Sequence, residues 1–289
     1  MHSNTLLLVD GMAAVYRAFF AIKGLSTSDG RPCNAIYGFI RMMDQLQRSW
    51  DPSHIAIIFD GGLPTERVQL VPEYKANRSP MPDELREQLE PINDYLEAAS
   101  IASARFDKCE ADDIMATIAI SAADYDTRVL LATHDKDLFQ LINENVQIVP
   151  VTGKHEVMGV DEVIAKTGVS PSQIVDWLAL IGDSADNIKG VDGIGPKTAT
   201  KLLTQYGSID SVWSHLEELP SGRIKQSLET SRELIERNCK MVKLYTDIDF
   251  APNWVDFKKQ SPSVDKLLKF YDRFEFHAFS RTLREPELF

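Results

Sequence analysis

One pattern, repeated three times, constrains this chain more than any other: a short unbroken apolar run that ends in a carboxylate. Thr5-Leu-Leu-Leu-Val9 delivers Asp10, Ile55-Ala-Ile-Ile-Phe59 delivers Asp60, and Arg128-Val-Leu-Leu-Ala132 leads to Asp135 and Asp137. Such runs read as strands buried on both faces, and Val146 to Val151 is a further candidate. Helical patterns lie between them. Met12 to Ile22 is aromatic and aliphatic with the single cation Arg17, and Asn34 to Trp50 repeats Ile36, Phe39, Ile40, Met43 and Leu46 at helical spacing. Buried strands alternating with helices predict an α/β fold with a parallel sheet covered on both faces. In such sheets ligands bind beyond the carboxyl ends of the strands, which is where all three acidic deliveries fall.

Two further stretches add acid to that edge. Glu110-Ala-Asp-Asp-Ile opens an alanine-rich helix to about Ala123. Acids in a first turn complement the helix dipole, but Glu110, Asp112 and Asp113 are also drawn toward the core that Ile114 and Ile118 bury, and buried carboxylates need partners. Asp183 and Asp186 flank a polar turn with no basic residue between or immediately beside them. The set Asp10, Asp60, Glu110, Asp112, Asp113, Asp135, Asp137, Asp183 and Asp186 offers oxygen ligands only, which suits Mg²⁺ or Mn²⁺ rather than zinc. Any one of them has an ordinary structural reading. Together they suggest two ions about 4 Å apart, activating a water and steadying a leaving oxygen in phosphodiester cleavage.

After Asp186 comes a glycine-punctuated hairpin, Gly190, Gly193 and Gly195, opening onto a helix that begins near Lys197. Glycines let backbone approach a ligand, and a helix start presents free N–H groups to an anion such as phosphate. A nucleotide-hydrolase phosphate loop is disfavoured, because Pro196 precedes Lys197 and Thr198 and no apolar strand leads in. An ordinary helix-turn-helix connection is the competing structural reading. A second phosphate-seeking stretch is the proline-broken insertion Leu63 to Leu96, with cations at Arg67, Lys75, Arg78 and Arg86. It reads either as a solvated loop leading to a helix over Asp83 to Leu96, or as a cover in which Tyr74 stacks on a base and Lys75 and Arg78 reach a phosphate. Arg17 meets a phosphate near Asp10 or partners a buried carboxylate.

Composition removes several classes. With 289 residues, 44% of them hydrophobic, the chain can bury a substantial core. Thr5 to Val9 is too short for a membrane span or signal core, so a cytoplasmic protein with no membrane partner is expected. Cys33, Cys109 and Cys239 are odd in number and widely spaced, which fits packing rather than disulfides or zinc. The six histidines lack metal spacing, and His134 reads as an incidental neighbour of Asp135. The net charge of -12 argues against a nucleic-acid partner unless the carboxylates are gathered in one pocket and the cations on another face.

The segments LLLVDGMAAVYRAFFA, FDGG, EYKANRSPMPDELR, CEADDIMA, THDKDLFQL and GDSADNIKGVDGIGPKTATKLL resemble, in order, the motifs of the 5′-3′ exonuclease domain of bacterial DNA polymerase I, part of the flap endonuclease superfamily. The resemblance implies a PIN-like α/β domain over residues 1–168 with a helical arch. A helix-three-turn-helix, SAM-like module over 169–252 and a helical tail over 253–289 would follow. It implies a monomeric, divalent-metal-dependent nuclease of the bacterial cytoplasm acting on DNA with a 5′ flap, nick or overhang, including RNA-primed DNA, alongside a DNA polymerase. The family's first metal site carries over onto Asp10, Asp60, Glu110 and Asp112, and its second onto Asp113, Asp135, Asp137, Asp183 and Asp186. Lys75 and Arg78 join Asp10 and Asp112 as catalytic residues. Tyr74, Lys75 and Arg78 match the arch that receives the 5′ strand, and Gly193, Gly195, Lys197 and Thr198 match the duplex-gripping hairpin, where the family often binds K⁺. Met12-Ala13, Cys33 and Lys189 depart from the usual pattern and touch no carboxylate. The chain is expected to be a free-standing nuclease or an excised domain. The rival readings are a PIN-type endoribonuclease and a non-catalytic junction-binding protein.

Overall fold

Alternation inside the apolar runs decides which way each side chain points. In the computed structural model, which describes residues 4–123, 125, 127–152 and 156–285, the runs form a five-stranded parallel sheet. The strands are β1 (Asn4–Asp10), β2 (His54–Phe59), β3 (Ala102–Arg105), β4 (Thr127–Ala132) and β5 (Val146–Val149), in the order β3-β2-β1-β4-β5. Leu6 and Leu8 of β1 enter one core with Ile58 and Leu131, while Leu7 and Val9 enter the other with Ile57 and Leu130. All four β1 side chains are fully buried, each contributing about 1.5–3 kcal/mol relative to exposure. That two-sided burial is why β1 reads as an unbroken apolar run.

The two cores recruit different helices. Helices Gly11–Ala21, Asn34–Trp50, Leu89–Ala98 and Val264–Arg273 pack on the Leu7 face. Helices Ala111–Ala123, Ile174–Ile181, Pro196–Tyr206 and Arg232–Val242 share the Leu6 core. Among the described residues no helix is long and apolar enough to cross a membrane. The three cysteines are free.

Several elements differ from expectation for physical reasons. β3 is not legible in the sequence because it is an edge strand whose side chains alternate half-buried and exposed. β5 ends at Val149, before Val151. The helix expected over Asp83 to Leu96 divides into Asp83–Arg86 and Leu89–Ala98. At the break sits buried Gln88, whose Oε1 accepts from the Ala35 (2.8 Å) and Ile36 (3.2 Å) amides and so satisfies the start of helix Asn34–Trp50. The polar turn around Asp183 is a small antiparallel hairpin of β6 (Gly182–Asp183) and β7 (Ile188–Lys189). Gly190 is there for clearance: a Cβ would lie 2.2 Å from the Ile181 carbonyl oxygen.

Candidate metal centre and nucleic-acid interface

Each carboxylate is aimed by the element that carries it. Asp10, the last residue of β1, also caps helix Gly11–Ala21, its Oδ1 accepting from the Ala13 amide at 2.9 Å. Its other oxygen accepts from Thr133 Oγ1 at 3.3 Å. Asp60 follows β2 and accepts from the Ala111 amide at 3.0 Å, which ties it to the start of helix Ala111–Ala123. Asp112 lies in that helix's first turn, and Asp135 follows β4 with its Oδ1 accepting from the Asp137 amide at 2.9 Å. Asp10, Asp60, Glu110, Asp112 and Asp135 line one cavity of about 600 Å³, with Lys75 and Arg78 also on its wall.

A second cluster adjoins it. One carboxylate oxygen from each of Asp137, Asp183 and Asp186 falls within 4.8 Å of the others. Asp183 and Asp186 are 6% and 7% exposed, and the Asp137 Oδ1 is buried without a hydrogen-bond partner. A buried carboxylate oxygen facing two more carboxylates is costly unless protonated or bound to a cation, so the donor set fits a hard divalent ion. Burial, together with neighbouring acids, raises the pKa values of Asp10, Asp112, Asp135 and Asp137. Asp10 is pushed up to about 6, chiefly by burial and then by Asp60 and Asp135. Asp112 and Asp137 move well above the usual carboxylate range, through burial first and the repulsion of Asp135 second.

Cations of the chain supply part of the missing charge. Lys75 Nζ contacts Glu110 and lies 3.5 Å from Asp186 Oδ2, Arg78 Nη2 donates to Asp186 Oδ1 at 2.7 Å, and Lys136 Nζ lies 3.3 Å from Asp183 Oδ2. Burial works against the charge on Lys75, but Glu110 and Asp186 more than offset it and raise its pKa. Lys75 adopts positive φ (56°), and its amide donates to the Asp186 carbonyl at 3.1 Å, so the insertion is pinned to the β6–β7 hairpin.

Two expected roles differ from the placement observed, and a third residue keeps only one of its two readings. Asp113 does not line the cavity: the helix turn that aims Asp112 into it aims Asp113 at Arg67, which it shares with Glu110 and whose Nη1 and Nη2 donate to it at 2.7 and 2.8 Å. The Tyr245 amide donates a further 3.0 Å bond to Asp113, which borders a different cavity. Tyr74 is not open for stacking on a base. Its ring is 4% exposed, and its hydroxyl donates to Glu110 (3.0 Å) and approaches Asp186 Oδ2 at 3.4 Å. Arg17 does not lie in a buried helix face partnering a carboxylate; it is exposed, with no ion pair among the described residues. Glu110 lines the cavity yet is already engaged by Arg67, Tyr74 and Lys75.

In the hairpin, Gly193 has φ 80° and Gly195 is the N-cap of helix Pro196–Tyr206, with Pro196 at the first helical position, where its missing N–H costs nothing. Lys197 is exposed and Thr198 half-buried at that helix start. Missed in the sequence were Lys136, Tyr245 and the central role of Arg67. Arg67 lies within a recognised basic insertion, but its only usable signal is the need of Glu110 and Asp113 for a counter-charge.

Known proteins can be set beside this geometry. A family model described as "5'-3' exonuclease, N-terminal resolvase-like domain" matches residues 5–168, and one described as "5'-3' exonuclease, C-terminal SAM fold" matches 169–265. A 5'-3' exonuclease of Aquifex aeolicus is 38% identical over 264 residues, covering 91% of this chain and 90% of that one. DNA polymerase I of Pseudomonas aeruginosa is 37% identical over 96% of this chain, which spans only 31% of the polymerase. The T5 D15 protein co-crystallised with metal ions superposes with TM-score 0.68 at 23% identity, covering 97% of this chain and 98% of that one. The catalytic core of Rad2 in complex with DNA substrate gives 0.66 at 15% identity, covering 98% and 92%.

Proposed function

The chain belongs to the 5′-3′ exonuclease family, and from that premise we propose that it is a structure-specific 5′ nuclease cutting DNA near single-strand to duplex junctions. The products would be a 5′-phosphate and a 3′-hydroxyl. The observation that carries this reading is the meeting of Asp137, Asp183 and Asp186 within 4.8 Å, with a buried unpartnered oxygen on Asp137, beside the cavity lined by Asp10, Asp60, Asp112 and Asp135. Mg²⁺ or Mn²⁺ would be held by Asp10, Asp60, Asp112 and Asp135 at one position and by Asp137, Asp183 and Asp186 at the other. Divalent ions bound there supply Lewis-acid activation of water and neutralisation of charge at the leaving oxygen.

The chain's own residues do the rest. Lys75 and Arg78 stand on the cavity wall, where they orient a phosphodiester and offset its developing charge. Tyr74 and Arg67 hold Glu110 from two sides, which keeps the acid from wandering as ions and substrate enter. The hairpin from Gly193 through Thr198 presents a turn and helix amides to duplex backbone, with Lys197 exposed beside them. A K⁺ ion at its carbonyls belongs to the same reading. The organisation that fits is a catalytic part over 1–168, a duplex-gripping part over 169–252 and a helical tail over 253–289, working as a monomer alongside a DNA polymerase and accepting RNA-primed ends.

The test is incubation with a 5′-labelled flap and a nicked duplex in Mg²⁺, with and without chelator. Wild type should release labelled product only with the metal, and Asp183→Asn with Asp186→Asn should still bind the flap but leave it uncut. Undiminished turnover by the double variant would remove the assigned ligands, and an uncut flap with wild type in Mg²⁺ and Mn²⁺ would remove the nuclease reading for this substrate.

A further inference from the structure

The cavity that holds the acids is longer than a pair of ions needs. Asp10 ends β1, Asp60 follows β2, and Ser103 and Arg105 of the edge strand β3 line the same cavity. It therefore runs across two inter-strand steps of about 4.8 Å each, whereas paired ions stand about 4 Å apart. We propose that Arg105, with Asn93 and Ser103 lining the same cavity, is a binding subsite for a phosphate of the cut strand other than the scissile one. The inference rests on the nucleic-acid reading of the acidic end and extends it to residues with no role there.

Register decides where Arg105 points. It pairs in a parallel ladder with Phe59, the last residue of β2 before Asp60, and register partners share a face of the sheet. Ala102 and Ala104 pack against the Leu6 core, so Ser103 and Arg105 turn the other way, toward helix Leu89–Ala98, which packs beside β3 and contributes Asn93. Arg105, Asn93 and Ser103 are all exposed, and their side chains make no hydrogen bond or ion pair among the described residues.

Charge separates Arg105 from the other cations of the lining. Lys75 contacts Glu110 and Arg78 donates to Asp186 at 2.7 Å, so both are already drawn to carboxylates. Arg105 is the third cation of that lining, and its guanidinium is uncommitted among the described residues. A charge on an edge strand also deters pairing with another sheet, but that role needs no polar neighbours. Here the arginine shares its cavity with an amide and a hydroxyl that are likewise unspent, a set of donors suited to phosphate oxygens. Phe59, half-buried against the Leu7 core, stands between Asp60, next to it in sequence, and Arg105, its register partner. Its ring offers an apolar rest for a sugar or base whose phosphate reaches the arginine.

The experiment measures binding of the full chain to a 5′-flap duplex in Ca²⁺ by fluorescence anisotropy, across a series of salt concentrations, with flaps that end in a 5′-phosphate or a 5′-hydroxyl. Arg105→Ala and Arg105→Gln should each weaken binding about tenfold, the weight of one charge-assisted contact, and reduce the steepness of log affinity against log salt by about 0.7. Arg105→Lys should keep the wild-type slope, and Asn93→Leu should weaken binding a few-fold without changing it. A loss confined to the phosphorylated flap assigns the subsite to the terminal phosphate. An equal loss on both flaps assigns it to an internal one, and a neutral methylphosphonate at that linkage should then abolish the effect of Arg105→Ala. Arg105 is exposed, so unfolding midpoints should stay at the wild-type value, which separates a lost contact from lost structure. Both neutral variants binding both flaps within twofold of wild type, with unchanged slopes, overturn the proposal and leave the nuclease reading standing. Failure of wild type to bind either flap removes the nucleic-acid reading, and this proposal with it.

Discussion

Replacing Arg67 by methionine should destabilise the fold strongly, because it removes the counter-charge of two buried carboxylates. The Arg67 side chain is 3% exposed, and its partners Glu110 and Asp113 are 4% and 1% exposed. It donates twice to Asp113 (2.7 and 2.8 Å), again to Glu110 and, at 3.1 Å, to the Lys243 carbonyl, while its guanidinium lies 4.9 Å from the centre of the Tyr245 ring. Removing one member of a buried pair costs about 3–5 kcal/mol, because the partner is left charged and unpaired. Glu110 would keep Lys75 and Tyr74, so its share is reduced, whereas Asp113 would keep only the Tyr245 amide. Loss of the carbonyl bond adds about 1 kcal/mol. The expected destabilisation is therefore about 4 kcal/mol, read as a lowered urea midpoint at neutral pH in chelator. Arg67→Lys should fall between, keeping the charge but not the two-pronged geometry. In the double variant Arg67→Met with Asp113→Leu the orphaned carboxylate is gone, and at least about 2 kcal/mol should return. A single-variant loss under about 1 kcal/mol, or a double variant no better than the single, would refute the reasoning.

Other consequences follow from the acidic clusters and their supports. In the metal-free fold Asp10 titrates at about 6 rather than 3.8, through burial first, and Asp112, Asp135 and Asp137 shift the same way. The folded state then binds more protons than the unfolded chain above 3.8, so stability falls as pH rises through the folded pKa values. Thermal unfolding in chelator should accordingly have a lower midpoint at about pH 8 than at about pH 5, and Mg²⁺ should raise it more at the higher pH; equal midpoints and equal gains would contradict this. Lys136→Met removes a cation 3.3 Å from Asp183, so calorimetric titration should show Mg²⁺ binding a few-fold more tightly, the side chain's 38% exposure limiting the gain. Gly61→Ala would set a Cβ 1.6 Å from the Phe106 carbonyl oxygen, next to Asp60. The backbone must shift, and a drop in melting temperature with weakened Mg²⁺ binding is expected; a wild-type melt would show that the loop yields freely.

Most of the sheet is legible in the sequence because its central strands are buried on both faces, and an unbroken apolar run as short as Leu6 to Val9 fits little else. The edge strand Ala102–Arg105 is not, since exposure on every second residue removes the hydrophobic signal. The acids can be gathered in advance because strand ends and helix starts share one sheet edge. Their pairing cannot. Asp112 and Asp113 are neighbours about 100° apart around a helix, so one faces the cavity and the other Arg67. Nothing in the order of two aspartates says which. Tyr74 misleads for a related reason: an aromatic in a basic, proline-rich stretch looks available for stacking, but the local turn puts its hydroxyl on Glu110 and Asp186.

The two matched segments meet at Gly168, yet the candidate metal centre straddles that junction. Asp137 comes from the sheet part, while Asp183 and Asp186 come from a hairpin beyond it, held in place by Lys75 and Arg78 from the insertion. Arg67 repeats the arrangement on the other side, joining the insertion to helix Ala111–Ala123 and to the Lys243 carbonyl after helix Arg232–Val242. Duplex seated on the hairpin of Gly193 to Thr198 would thus load the same short segment, Ile181 to Gly195, that presents two of the three clustered carboxylates. The two sides of that segment approach closely at Gly182 and Gly190, where a Cβ would lie 2.3 and 2.2 Å from opposing backbone atoms. A substrate gripped at one end of this segment is thus registered against the acids at the other, and Asp183→Asn with Asp186→Asn in the full chain should bind divalent ions more weakly than wild type in calorimetric titration, an equal affinity counting against these two ligands.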